Sequence, residues 1–206
     1  ASRPDKIRFG SPGVPLPNVQ LKIAKDGEIL AKGPNVMQGY YKAPEATKKV
    51  FNDEGWFLTG DIGEIDQDGF LEITDRKKSL IVTSAGKNIA PAPLETALVS
   101  SDFIEQALVI GDKRNFITAL IVPEFENIKK YLNNNGKDLA SNEAIVEHID
   151  VISLLDKELE SAMKSFSRTE RVKKISLISR QFSIEKGEMT PKMSLVRKVI
   201  ENHFED

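Results

Sequence analysis

The chain has 206 residues, 40% of them hydrophobic and 29% charged, enough apolar content for one large or two small globular domains. Its net charge of −2 provides no global field to draw nucleic acid or an anionic membrane. The absence of cysteine excludes disulfides, thiolate metal sites and cysteine nucleophiles, and fits a reducing compartment such as the cytoplasm.

The stretch Ala1-Ser2-Arg3-Pro4-Asp5 lacks the charged-then-apolar layout of a signal peptide, and no apolar run reaches bilayer length. Gly10 to Pro17 is a loop leading into a strand with nothing before it to pair against, so the chain is expected to be part of a longer one. Val19 to Ala24 alternates, Asp26-Gly27 is a turn signal and Ile29 to Ala31 resumes, which predicts a hairpin. Pro44 to Phe51 reads as a short helix. Phe57 to Glu64, the turn Asp66-Gln67-Asp68-Gly69 and Phe70 to Thr74 predict a second hairpin.

After Lys78 the pattern changes. Leu80-Ile81-Val82 is a short strand, Pro91 to Val99 a helix with proline in its first turn, and Glu105 to Asp112 and Phe116 to Pro123 are strands paired about Asp112-Lys113-Arg114-Asn115. Asn127 to Phe166 is helical and broken at Asn133 to Gly136. Within it, Ile152, Leu155, Leu159 and Met163 form one apolar stripe, read as core rather than as a partner groove. Lys174 to Ser179 is a last strand, and Ser194 to Phe204 a last helix with Ser194 as its N-cap. The class is α+β: a β-rich unit over residues 1–76, then an α+β unit over 77–206 with a helical insertion at about 125–167.

Several motifs fall in a fixed order: Gly27-Glu28-Ile29, Gly33 to Tyr41, Gly55-Trp56 to Asp61, Asp75-Arg76-Lys77-Lys78, and Ser84 to Pro91 with Glu95. In that order and spacing the chain resembles the back half of a long-chain fatty-acid CoA ligase, an adenylate-forming enzyme of the AMP-binding superfamily. The resemblance covers nearly the whole chain. No Ser/Thr/Gly-rich phosphate loop ending in Pro-Lys and no Tyr-Gly-x-Thr-Glu segment occurs here, and the resemblance places those in a large amino-terminal domain.

What the resemblance implies is an acid–thiol ligase with fatty acid, ATP and CoA as substrates. Mg²⁺ would be bound chiefly through nucleotide phosphates, with no metal site made by this chain and no nucleic-acid partner. It leaves open a peripheral membrane contact of the complete enzyme and its oligomeric state. Asp61 and Arg76 would grip the nucleotide ribose, the carboxylate as acceptor and the guanidinium as donor. Lys78 would be the hinge between the two domains, and the loop carrying Ser84, Gly86 and Lys87 would line the CoA channel, with Ala85 standing where a first glycine is usual.

A lysine entering the active site to stabilise charge during adenylation is implied on Thr190-Pro191-Lys192-Met193-Ser194. The usual position lands on Ser194. Lys192, two residues earlier, would face the same side of an extended loop and is the residue assigned here. Plainer readings accompany each residue: Asp61 as a strand-end aspartate taking turn amides, Arg76, Lys78 and Lys192 as solvated charges, and Gly86 as a turn glycine. His148 and His203 read as surface histidines. Two alternatives stand beside the ligase: a related adenylating enzyme with another acid, and a stand-alone binding or regulatory module using the helix Val151 to Met163.

Overall fold

A computed structural model describes residues 6–139 and 141–204; the amino-terminal pentapeptide lies outside it. The chain divides into two compact units, Ala1–Leu80 and Ile81–Asp206.

The first unit is an antiparallel meander of four strands, β1 (Gln20–Ile23), β2 (Glu28–Lys32), β3 (Phe57–Ile65) and β4 (Leu71–Arg76), in sequential order. The Asp26-Gly27 turn closes β1 onto β2, with Gly27 at φ +87°. A short helix, α1 (Pro44–Lys48), precedes β3 and stops before the expected end at Phe51; Phe51 bridges Phe57 instead. Ile29, Leu30 and Ile62 are buried, whereas Phe9, Leu16, Tyr40, Tyr41 and Ile73 are exposed, so the sheet owns a thin core.

Two register shifts shape its functional end. Glu28 pairs with Ile62 and Leu30 with Leu58, which puts residues 59–61 into a bulge on β3; a second shift lies between Ile62 and Gly63 against β4. Bulges bend a strand and re-aim its side chains. The second one needs glycine, because a Cβ on Gly63 would fall 2.1 Å from the Glu72 carbonyl oxygen. Gly63→Ala is therefore expected to force the β3–β4 ladder apart and destabilise the chain by about 1–3 kcal/mol, measured as a lowered urea midpoint.

The second unit starts with the two-stranded hairpin β5 (Ile81–Val82) and β6 (Asn88–Ile89), followed by α2 (Pro91–Val99). Its three-stranded sheet contains β7 (Ile104–Ile110), β8 (Ile117–Pro123) and β9 (Val172–Leu177) in that spatial order, β7–β8 antiparallel and β8–β9 parallel. The crossover to β9 carries α3 (Phe125–Asn134), α4 (Asn142–Glu147) and α5 (Ile149–Ala162).

Both faces of this sheet are covered, which explains the near-continuous apolar runs of β7 and β8. Ala107, Val109, Ala119 and Ile121 pack with Leu94, Leu98, Leu155 and Leu159, and Leu108, Leu120 and Val122 with Phe182, Met189 and Ile200. The α5 stripe begins at buried Val151 rather than at half-buried Ile152. Its Val151, Leu155, Leu159 and Met163 lie in the unit's own core, so that face is not free to take up a partner. The last helix, α6 (Arg197–His203), starts after Val196. Ser194 is not its N-cap, because Thr190 to Leu195 is drawn into a hairpin turn described below.

Candidate functional site

In the first unit β3 and β4 bring Asp61 and Arg76 together. They are register partners across the two strands, and Arg76 Nε lies 2.9 Å from Asp61 Oδ1, with the arginine side chain 72% exposed and the aspartate 26%. A pair so open to water contributes at most about 1 kcal/mol to folding, so ligand hydroxyls can compete for both members at small cost. The bulge at 59–61 sets the aspartate. Thr59 Oγ1 donates to the Ile29 carbonyl at 2.7 Å and accepts from the Asp61 amide at 3.1 Å, while Gly60 takes φ +72°.

Beneath this pair lies a carboxylate that sequence reasoning assigned no role. Glu28 is buried, its Oε1 accepting from the Gly60 amide at 2.9 Å and its Oε2 facing Lys77 Nζ at 2.7 Å. Lys77 also reaches Asp26 Oδ2 at 2.7 Å. The hydrogen bond from Lys77 holds the Asp26 carboxyl below its ordinary range, and hydrogen bonds to Asp26 and Glu28 raise Lys77. Lys77 and Lys78 sit in a single 3-10 turn, Lys77–Ser79, and Lys78 is exposed. The two compact units divide after Leu80, and Lys77 is tied within the first by its ion pairs to Asp26 and Glu28.

In the second unit the loop between β5 and β6 is a tight turn: the Gly86 amide donates to the Thr83 carbonyl at 2.8 Å, with Gly86 at φ +75° and open space where a Cβ would stand. The conformation, rather than a close approach within this chain, is what calls for glycine there. The loop is tethered on two sides. Ser84 Oγ donates to Asn115 Oδ1 at 2.8 Å, and Lys87 Nζ donates to Thr169 Oγ1 at 2.5 Å and pairs with Glu170. The Ser167 hydroxyl, then Lys87, holds the Glu170 carboxyl below its ordinary value. Ser84 and Gly86 are exposed and Lys87 is half-buried.

Lys192 lies on a turn, not on an extended loop. Met189 bridges Leu195, the Thr190 amide donates to the Ser194 carbonyl at 2.8 Å, the Met193 amide donates to the Thr190 carbonyl at 2.9 Å, and Met193 takes φ +62°. Lys192 is therefore at the exposed tip and Ser194 at the closing end, and two-residue alternation does not place them on one side.

Two networks fix the base of that turn. Fully buried Glu188 accepts from both Arg180 terminal nitrogens at 2.7 and 2.8 Å and from the Ser183 amide at 3.1 Å, and lies 2.9 Å from His203 Nδ1. Arg180 leads in holding its carboxyl down to about 2. On the other side, Arg197 donates to Glu95 at 2.6 Å and to the Val109 carbonyl at 2.9 Å. His203 is exposed as expected and His148 half-buried, and both also have partners. His203 joins this buried carboxylate, and His148 Nδ1 caps α5 by accepting from the Asp150 amide at 3.2 Å.

Among the described residues no three metal-ligating side chains converge, and no helix is long and apolar enough to cross a membrane.

The long-chain-fatty-acid–CoA ligase FadD15 of Mycobacterium tuberculosis is 41% identical over 199 residues, covering 96% of this chain and 33% of that protein. The fold is that of the A domain of carboxylic acid reductase from Segniliparus rugosus, solved with AMP and a co-purified carboxylic acid, at TM-score 0.71 and 22% identity over 96% of this chain and 33% of that one. O-succinylbenzoate coenzyme A synthetase of Bacillus subtilis, solved with ATP and magnesium ion, superposes at TM-score 0.61 and 28% identity over 97% of this chain and 36% of that one. The chain thus spans about a third of the length of such relatives. Residues 78–206, from the exposed Lys78 through both tethered loops to the last helix, match the AMP-binding enzyme C-terminal domain, and the chain belongs to that family.

Proposed function

We propose that this chain supplies the final third of an ATP-dependent long-chain fatty acid:CoA ligase. In that reaction a carboxylate oxygen attacks the α-phosphorus of ATP and pyrophosphate leaves; the CoA sulfur then attacks the acyl carbon, AMP leaves, and the thiol proton is lost to solvent. The observation that carries the reading is the 41% identity along nearly the whole chain to a ligase of that name, with the Asp61–Arg76 pair as its geometric support.

Asp61 accepts from the ribose hydroxyls and Arg76 donates to the same sugar through both half-reactions. Lys78, exposed at the end of the first unit, is the pivot between the domains, since a solvated residue can change its backbone angles without loss of packing. Ser84 and Gly86 face the CoA pantetheine arm, and Lys87 fixes their loop through Thr169 and Glu170. Lys192 carries positive charge to the reacting carboxylate and α-phosphate in adenylation. Mg²⁺, when bound with ATP, neutralises phosphate charge; the residues of this chain act on the sugar, the thiol arm and the reacting carboxylate. The buried face of α5 argues against the binding-module alternative.

The test is Asp61→Ala in the full-length ligase. The KM for ATP is expected to rise about tenfold, as for the loss of a charge-assisted hydrogen bond, with both half-reactions slowed. An unchanged dependence on ATP removes Asp61 from the site.

A further inference from the structure

Glu28 is the one buried carboxylate of the first unit among the described residues, and it touches both halves of the proposed ribose grip through their neighbours. Its Oε1 accepts from the amide of Gly60, which precedes Asp61, and its Oε2 takes Lys77, which follows Arg76. The register explains why such a group is needed. With residues 59–61 bulged away from β2, the Gly60 amide has no ladder carbonyl to bond, and a side chain has to satisfy it. A neutral acceptor would serve that amide, but only a carboxylate also draws in a cation, and Lys77 is the cation it draws.

We propose that Glu28, neutralised by Lys77, is a positioning residue for the nucleotide site: one carboxylate fixes the peptide before Asp61 and the side chain after Arg76, and so holds the two ribose-contacting groups at their mutual distance. Asp26 shares Lys77 and keeps the ammonium over Glu28. The inference rests on the proposed ribose role of Asp61 and Arg76, and extends it to residues that touch no substrate.

The readout has to separate positioning from mere stability, so it is the preference for ATP over 2′-deoxy-ATP and 3′-deoxy-ATP, as ratios of kcat/KM in the full-length ligase. Asp61→Ala is the reference and should collapse the preference. Glu28→Gln keeps an acceptor for Gly60 but loses the ion pair; it should lower the preference about tenfold, the size of one good hydrogen bond, chiefly through KM. Lys77→Met, on a half-exposed side chain, should do the same, and Lys77→Arg should restore it. Ile29→Val, a buried truncation on the same strand, should lower the melting temperature without moving the preference. If Glu28→Gln and Lys77→Met retain the preference while Asp61→Ala loses it, the positioning role is wrong and the ribose reading survives. If Asp61→Ala itself retains it, the ribose reading falls and the inference falls with it.

Discussion

Lys192→Ala in the full-length ligase is expected to slow pyrophosphate release by about 10²–10³, the usual cost of losing one preorganised charge-stabilising donor, while supplied acyl-adenylate is still converted to acyl-CoA at nearly the original rate. The asymmetry follows from the proposed division of labour: the tip of the Thr190–Ser194 turn serves adenylation and the loop around Gly86 serves thioester formation. The turn sharpens the companion experiment. Lys192 is at its tip and Ser194 at its closing end, so a lysine at 194 starts from a different point on the hairpin and is not equivalent to one at 192. Ser194→Lys that accelerates adenylation, alongside a silent Lys192→Ala, would reassign the working position to 194.

The second large effect concerns Glu188. Its carboxyl is held at about 2 against an ordinary 4.5 by Arg180 first, then by His203 and the Ser183 amide. Because the value is depressed in the folded state, the contribution is complete above the ordinary value and is lost as pH falls through about 2. A depression of that size corresponds to about 3 kcal/mol. Glu188→Gln should therefore lower the stability of the 206-residue chain by about 3 kcal/mol at pH 7, and the gap from wild type should narrow steadily below pH 4.5. Urea unfolding at several pH values checks this, and a gap independent of pH would assign the loss to packing instead of charge.

Much of the architecture was legible because it is local. The Asp-Gly turn, the proline-started helix Pro91–Val99 and the strands about Asp112 to Asn115 each carry their signal within a few residues. That Asp61 and Arg76 come together was legible for a similar reason, since a short turn joins their strands, but Asp61 lies in the middle of β3 and not at a strand end, opposite the last residue of β4. Contacts that close over long loops were not. Glu28 meets Lys77 across 49 residues and Glu95 meets Arg197 across 102, and nothing in the local pattern of a charged residue names its distant partner. The last helix was placed too early because Ser194 has the chemistry of a cap, but the hydrogen bond from the Val196 amide to the Glu188 carbonyl commits that stretch to the hairpin first. The stripe ending α5 was legible at Leu155, Leu159 and Met163, and only its start was missed, since Val151 and Ile152 are both apolar and packing alone chooses between them.

The turn at Thr190 to Ser194 is closed by main-chain hydrogen bonds and one threonine hydroxyl, and its footing by Glu188 and Arg197. The side chains at 192 and 194 take no part in that closure. Folding is thus indifferent to which of the two carries a charge, and a lineage can move its lysine from the tip to the closing end of the turn by single substitutions without passing through an unfolded ancestor. A library randomised at 192 and 194 alone should consequently yield well-folded members almost throughout, with activity and stability uncorrelated across it.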